Sequence, residues 1–217
     1  MTRVKVCCIR SVEEARLAVR LGASALGLVS QMPSGPGVVS EALITEIAAA
    51  VPPPIATFLL TSRTVPGEII AQQHRCRVNT VQICDRLPAG AHAELRRLLP
   101  GISLVQVIHV SGNESVTEAL QASRDVDALL LDSGDPTLPV KELGGTGRTH
   151  DWSVSSRIVE DSPVPVFLAG GLKPENVGEA IRSVRPFGLD LCTGVRTAGV
   201  LDEHKLLRFM EAVAAAA

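Results

Sequence analysis

The stretch 165–195, PVFLAGGLKPENVGEAIRSVRPFGLDLCTGV, constrains the fold of this chain more than any other. It reads as a buried strand, a Gly-Gly turn, an amphipathic helix, a second buried strand and a second glycine turn. Gly170 and Gly171 follow the apolar run Val166-Phe167-Leu168-Ala169, and Gly194 follows Leu189-Asp190-Leu191-Cys192-Thr193. Strands joined through a helix lie parallel, so both glycine turns fall at the same, carboxyl ends. Glycine accepts backbone conformations and close approaches that other residues resist, and such turns can aim several N–H groups at one point. In an eightfold β/α barrel the phosphate site usually lies in the loops after strands seven and eight. The stretch therefore proposes both a fold and a phosphorylated ligand. The plainer alternative is that these glycines only make tight turns.

The rest of the chain repeats the unit. Short apolar runs at 4–9, 25–30, 55–60, 80–84, 103–110, 128–132, 165–169 and 188–192 read as strands. Helical patterns follow them at 12–21, 40–50, 65–75, 90–98, 114–122, 153–159, 174–184 and 202–215. Ser11 is placed to cap the first helix, and Pro174 suits the first turn of the seventh. Continuous apolar strands, each followed by a helix, argue for residues 1–217 as a single α/β domain, a closed (β/α)8 TIM barrel. A doubly wound open sheet is the alternative, but no GxGxxG follows the first strand. Two loops are long, 31–39 and 133–152, and both leave strand carboxyl ends, where barrels carry their chemistry. Gly144, Gly145 and Gly147 suit the second to act as a lid.

Composition narrows the function. The net charge is −2 with scattered Lys and Arg, and aromatic residues make up 2%, which argues against nucleic acid. No apolar run reaches the ~18 residues of a membrane span, and the first residues enter a strand pattern without a signal peptide. Five cysteines, an odd number without CxxC spacing, suggest a reducing cytoplasm and no structural zinc.

Several of these pieces occur together in one known family. VKVCCIRSVEEA at 4–15, GASALGLV at 22–29, TVQI at 80–83, LLLD at 129–132, GGTGRTHDW at 144–152, LAGGLKPENVGEAI at 168–181 and RPFGLDLCTGV at 185–195 resemble phosphoribosylanthranilate isomerases nearly end to end. The resemblance implies a (β/α)8 fold and an Amadori rearrangement of an N-glycosylated aromatic amine carrying a sugar phosphate. It implies no organic cofactor and no metal. By the same resemblance Cys7 is the general base and Asp132 the general acid. Lys5, Gln82, Gly145, Gly170, Gly171, Gly194 and Val195 hold the substrate and its phosphate, in a monomer or homodimer. The residues are compatible with these roles. With period two, Lys5 and Cys7 share one face of the first strand, and Val4, Val6 and Cys8 the other. A nearby ammonium such as Lys5 would draw the Cys7 thiol toward a neutral pKa. Asp132 ends the apolar run Leu129-Leu130-Leu131, where burial helps an acid keep its proton.

The chain also departs from the pattern. Gly37 stands where the family carries an arginine that holds the anthranilate carboxylate, so Gly37→Arg is expected to improve handling of that compound. Cys8 replaces a glycine, Gln82-Ile83-Cys84-Asp85 replaces a QLHG segment, and Arg196 follows Gly194-Val195 where glutamate is common. Arg10, Arg148 and Arg196 are the candidates to replace the missing arginine. The departures fit a changed substrate as well, a paralogue acting on a different phosphorylated aminosugar, and two other functions stay open. Cys7 or Cys8, Cys84, His109 and Cys192 could converge on a thiophilic metal, or the barrel could bind a sugar phosphate without catalysis.

Overall fold

A computed structural model of the protein describes residues 2–216. Eight parallel strands close into a barrel in chain order: β1 (Arg3–Val6), β2 (Ala25–Val29), β3 (Ala56–Thr61), β4 (Thr80–Ile83), β5 (Ser103–His109), β6 (Ala128–Asp132), β7 (Val166–Leu168) and β8 (Gly188–Leu191). Each is followed by a helix: α1 (Val12–Arg20), α2 (Glu41–Ala50), α3 (Pro66–Cys76), α4 (Ala91–Leu98), α5 (Glu114–Ala122), α6 (Trp152–Asp161), α7 (Val177–Val184) and α8 (Glu203–Ala216). The ring closes by β1 pairing with β8, which sets Lys5 opposite Asp190.

Two apolar layers follow from the strand alternation. Outward residues such as Val4, Val6, Leu26 and Leu28 pack against the helices in one continuous core. Inward residues, among them Ala25, Phe58, Leu130 and Phe167, fill the barrel. Phe58 and Phe167 meet edge to face with ring centres 5.9 Å apart, and Phe167 meets Phe187 in the same way at 5.4 Å. Three of the four phenylalanines thus stack near the amino ends of the strands. The carboxyl ends remain for polar residues.

Three local readings need correction. The first strand ends before residue 9, because Cys8 takes a left-handed φ of 63°. That turn also carries the Cys8 side chain into the inner cluster instead of the outer face that strict alternation gives it. The seventh helix starts at Val177, not 174. Pro174 lies in the preceding turn, where Asn176 Oδ1 accepts from the Lys173 N–H at 2.9 Å. A small hairpin, β9 (Arg196–Thr197) and β10 (Val200–Leu201), precedes α8 and was not legible from the sequence. Its turn uses positive φ at both Ala198 and Gly199, the backbone a two-residue hairpin requires. Ser11 does cap α1, accepting from the Glu14 N–H at 3.2 Å. Among the described residues no helix is long and apolar enough to cross a membrane.

Candidate active site

Cys7 sits one residue past β1, buried, with its N–H donated to the Leu191 carbonyl at 2.8 Å. This bond continues the β1–β8 ladder and holds the cysteine at the floor of the mouth. Gly27 on β2 makes room for it. A Cβ there would come within 2.6 Å of Cys7 Sγ and 3.0 Å of Lys5 Nζ. Lys5 lies below, fully buried, with Nζ 2.8 Å from Asp190 Oδ1. Burial alone would lower the Lys5 pKa, but Asp190 and Cys7 outweigh it, and the ammonium is held above its ordinary value. The pair is self-contained. It does not bring Cys7 toward neutrality, as the bare strand pattern suggested. Burial pushes the Cys7 thiol up to about 11; Lys5 opposes this, and Asp190 cancels part of its help.

Asp132, the last residue of β6, faces the same pocket as Cys7. Its Oδ1 accepts from the Ser133 N–H at 2.7 Å, and Oδ2 lies 2.7 Å from where a Cβ on Gly144 would stand. Burial raises its pKa above the ordinary carboxyl value, against the Ser133 hydrogen bond and with the help of Asp190. Gln82 completes the floor from β4. Its Oε1 is buried and has no partner among the described residues, so it stands ready to accept from a ligand hydroxyl or amine.

The two long loops meet over this floor. Ser34 Oγ donates to the Lys141 carbonyl at 2.7 Å, and a Cβ on Gly145 would lie 2.5 Å from Pro36 Cδ. Ser133 Oγ donates to the Arg148 carbonyl at 2.7 Å and shares a 2.6 Å hydrogen bond with Thr146 Oγ1, which folds the second loop back on itself. Gly145, Gly170 and Gly171 line the pocket with positive φ. Among the described residues their N–H groups donate to no protein acceptor. Gly171 also packs tightly, since a Cβ there would lie 2.8 Å from the Arg148 carbonyl carbon. Gly194 and Val195 are one step removed. Thr193 lines the pocket, while a Cβ on Gly194 would lie 2.1 Å from the Leu172 carbonyl oxygen and the Val195 side chain is fully buried. Neither lines the pocket, and the Val195 N–H donates to the Cys192 carbonyl at 3.5 Å.

The remaining candidates scatter. Cys8 and Cys192 form a disulfide, with Cα atoms 5.9 Å apart. Cys84 is buried beside Gln82, and burial pushes its thiol far above the ordinary value. His109 Nε2 donates to the Cys84 carbonyl at 2.9 Å. Among the described residues no three His, Cys, Asp or Glu side chains are grouped as metal ligands, so the thiophilic-metal alternative lacks its constellation. Asp190, which sequence reasoning passed over, lines the pocket and pairs with Lys5. Its signal was a single acid inside the apolar strand GLDL. Of the three arginines, Arg148 pairs with Glu142, and Arg196 is buried against Glu14 and the carbonyls of Cys7 and Cys8. Arg10 pairs with no acid among the described residues.

The chain is similar to known proteins in sequence and in fold. The family model of N-(5'-phosphoribosyl)anthranilate isomerase matches residues 4–212. N-(5'-phosphoribosyl)anthranilate isomerase 2 of Methanosarcina mazei is 37% identical, over 96% of this chain and 92% of its own length. The phosphoribosyl anthranilate isomerase of Thermotoga maritima has a TM-score of 0.84 at 29% identity, covering 99% of this chain and 100% of that one. A further isomerase was solved with reduced 1-(o-carboxyphenylamino)-1-deoxyribulose 5-phosphate; it has a TM-score of 0.81 at 27% identity over 99% of this chain and 100% of its own.

Proposed function

Since this chain belongs to the phosphoribosylanthranilate isomerase family, we propose that it isomerises N-(5-phosphoribosyl)anthranilate to the corresponding 1-(o-carboxyphenylamino)-1-deoxyribulose 5-phosphate, a step of tryptophan biosynthesis. The observation that carries this reading is one pocket holding Cys7 and Asp132 beneath glycine loops with free N–H groups. Asp132, protonated through burial, gives its proton to the ribose ring oxygen as the ring opens to an iminium. Cys7 takes the proton from the adjacent carbon, and the enolamine becomes the ketose. In the unliganded pocket the thiol keeps its proton, but a cationic iminium beside it favours the thiolate. A dry thiolate with so high a pKa is a strong base. Gly145, Gly170 and Gly171 supply backbone N–H groups for the phosphate, with Gly194 from the adjoining turn, and Gln82 accepts from the sugar or the amine. Lys5 acts from below, through its charge on Cys7.

The enzyme works on this reading as a monomer or homodimer in the cytoplasm. Turnover of phosphoribosylanthranilate, followed by loss of anthranilate fluorescence, tests it together with growth of a tryptophan auxotroph lacking the isomerase. Turnover with rescue is the expected result; a protein that gives neither is not this isomerase. The kcat/KM profile should keep an alkaline limb near about 11, the value to which burial moves Cys7. A limb near neutral pH would assign the base elsewhere.

A further inference from the structure

Resting on that reading, we infer that the carboxylate of the aromatic amine is received in a side cavity by Arg10, and that the Cys8–Gly37 exchange shapes the entrance. Gly37 has a φ of 82°, and a Cβ on it would lie 2.5 Å from the Cβ of Cys8 and 3.0 Å from its Sγ. Cys8 thus occupies the space from which a side chain at 37 would start. Neither position can return to an arginine-bearing arrangement alone, so a cation for the carboxylate must come from another element.

A cavity of about 210 Å³ opens beside this pair, lined by Arg10, Gly37, Arg196 and Gly199. Its other walls, Cys8, Pro36 and Thr193, also line the barrel mouth, so the two spaces adjoin. Arg196 brings a buried guanidinium whose charge Glu14 balances, while its Nε is buried without a partner among the described residues. Glu14 is fully engaged, by Arg196, by the Leu201 N–H and by the Arg10 N–H. The Arg10 guanidinium, exposed and without an acidic partner among the described residues, is therefore the surplus positive charge of the cavity. The hairpin β9–β10 leaves it room. Gly199 at the turn carries no side chain, and its Cβ position lies 3.5 Å from Arg10 Nη1. A planar anion with two acceptor oxygens satisfies the free guanidinium in a paired contact. The carboxylate of an anthranilate group, reaching out of the mouth past Thr193, has that chemistry.

The test compares two probes by calorimetry: the reduced carboxyphenylamino-deoxyribulose phosphate and its phenylamino counterpart without the carboxylate. The unaltered protein should bind the carboxylated probe at least about tenfold more tightly, as a charge-assisted contact implies. Arg10→Ala should erase that preference while leaving the affinity for the phenylamino probe unchanged, and Arg10→Lys should restore part of it. In turnover the loss should appear in KM with kcat retained. If the protein binds both probes equally, or if Arg10→Ala keeps the preference, the side cavity is not the carboxylate site, although the isomerase reading stands. If neither probe binds, both fall.

Discussion

The two halves of the barrel mouth obey different rules. The half built on β6, β7 and β8 carries Asp132, the glycine loops and the Thr193–Val195 turn. The half built on β1, β2 and β4 carries Cys7 and Gln82, with the motif departures Cys8, Gly37 and Cys84 around them. On the phosphate half the glycines are locked by neighbouring backbone, as at Gly194 against the Leu172 carbonyl. On the other half one departure makes space for another, as at Gly37 for Cys8. Backbone packed on backbone has no cheap substitute, whereas side chains packed on side chains can be exchanged in pairs.

The sharpest way to break the contrast is through the acid and the base, since each half supplies one. Cys7→Ser and Asp132→Asn should each lower kcat by roughly 10²–10⁴-fold. Steady-state turnover of phosphoribosylanthranilate measures both. If Cys7→Ser alone kept its rate, the altered half would have lost its catalytic part, and the base would have to be sought elsewhere.

The next effect separates locked from exchangeable glycines. Gly194→Ala drives a methyl into the Leu172 carbonyl, so the β7 and β8 loops must part. Phosphate-dependent binding should weaken by about tenfold or more, read as KM or as the affinity for inorganic phosphate. Gly67, which like Gly194 lies outside the left-handed region but whose Cβ direction is open, is the matched control. Gly67→Ala should leave phosphate affinity alone. Equal losses in both variants would mean that the packing of Gly194 against the Leu172 carbonyl does not explain the first.

A smaller effect tests the paired exchange, and it revises the simple sequence argument. Restoring arginine at 37 looked beneficial when only the loop sequence was considered. With Cys8 in place, Gly37→Arg should lower stability by about 1–3 kcal/mol, the usual cost of overpacking, seen as a fall in Tm. Cys8→Gly combined with Gly37→Arg should recover the part due to the Cys8 side chain, while the Cys8 Cα, 2.9 Å from the new Cβ, and the left-handed φ of 82° remain. If the double variant is as unstable as the single one, the two positions are not coupled.

How much was legible follows the same division. The strand–helix alternation was readable because burial on both faces writes each strand as an apolar run, and all eight strands begin within a residue of Val4, Ala25, Ile55, Thr80, Leu104, Ala128, Val166 and Leu189. Cys7, Asp132 and the glycine loops were legible as motifs at strand ends. Asp190 was not, because a lone acid in a strand gives no hint of its partner until ring closure brings β8 beside Lys5. The Cys7 pKa was misjudged for the same reason. Lys5 is near, but the acid that claims its charge lies 185 residues away in sequence. The Cys8–Gly37 clash and the Arg10 cavity depend on loop backbone angles, which residue types alone do not fix.

The last contrast is one of acid sensitivity, and it belongs to the phosphate half. His150, in the folded-back second loop, shares a 2.7 Å hydrogen bond with Ser155 Oγ on α6, and its Nδ1 lies 3.3 Å from where a Cβ on Gly170 would stand. Nδ1 has no partner among the described residues, and burial lowers the ring's pKa from 6.5 to about 4. Between those values the unfolded chain binds the proton and the folded chain does not. Stability therefore rises with pH through this window and falls on acidification from 6.5 toward 4. Because the ring is only partly sheltered, the loss should be on the order of 1 kcal/mol once solvent screening is allowed for. His150→Asn should flatten that segment of a Tm-against-pH curve while lowering its neutral plateau slightly. Residues 3–11, 25–40 and 80–90, which build the other half of the mouth, include no histidine, so Arg10→Ala should leave the slope as it is. An unchanged acid slope in His150→Asn would place the sensitive group elsewhere and remove this difference between the halves.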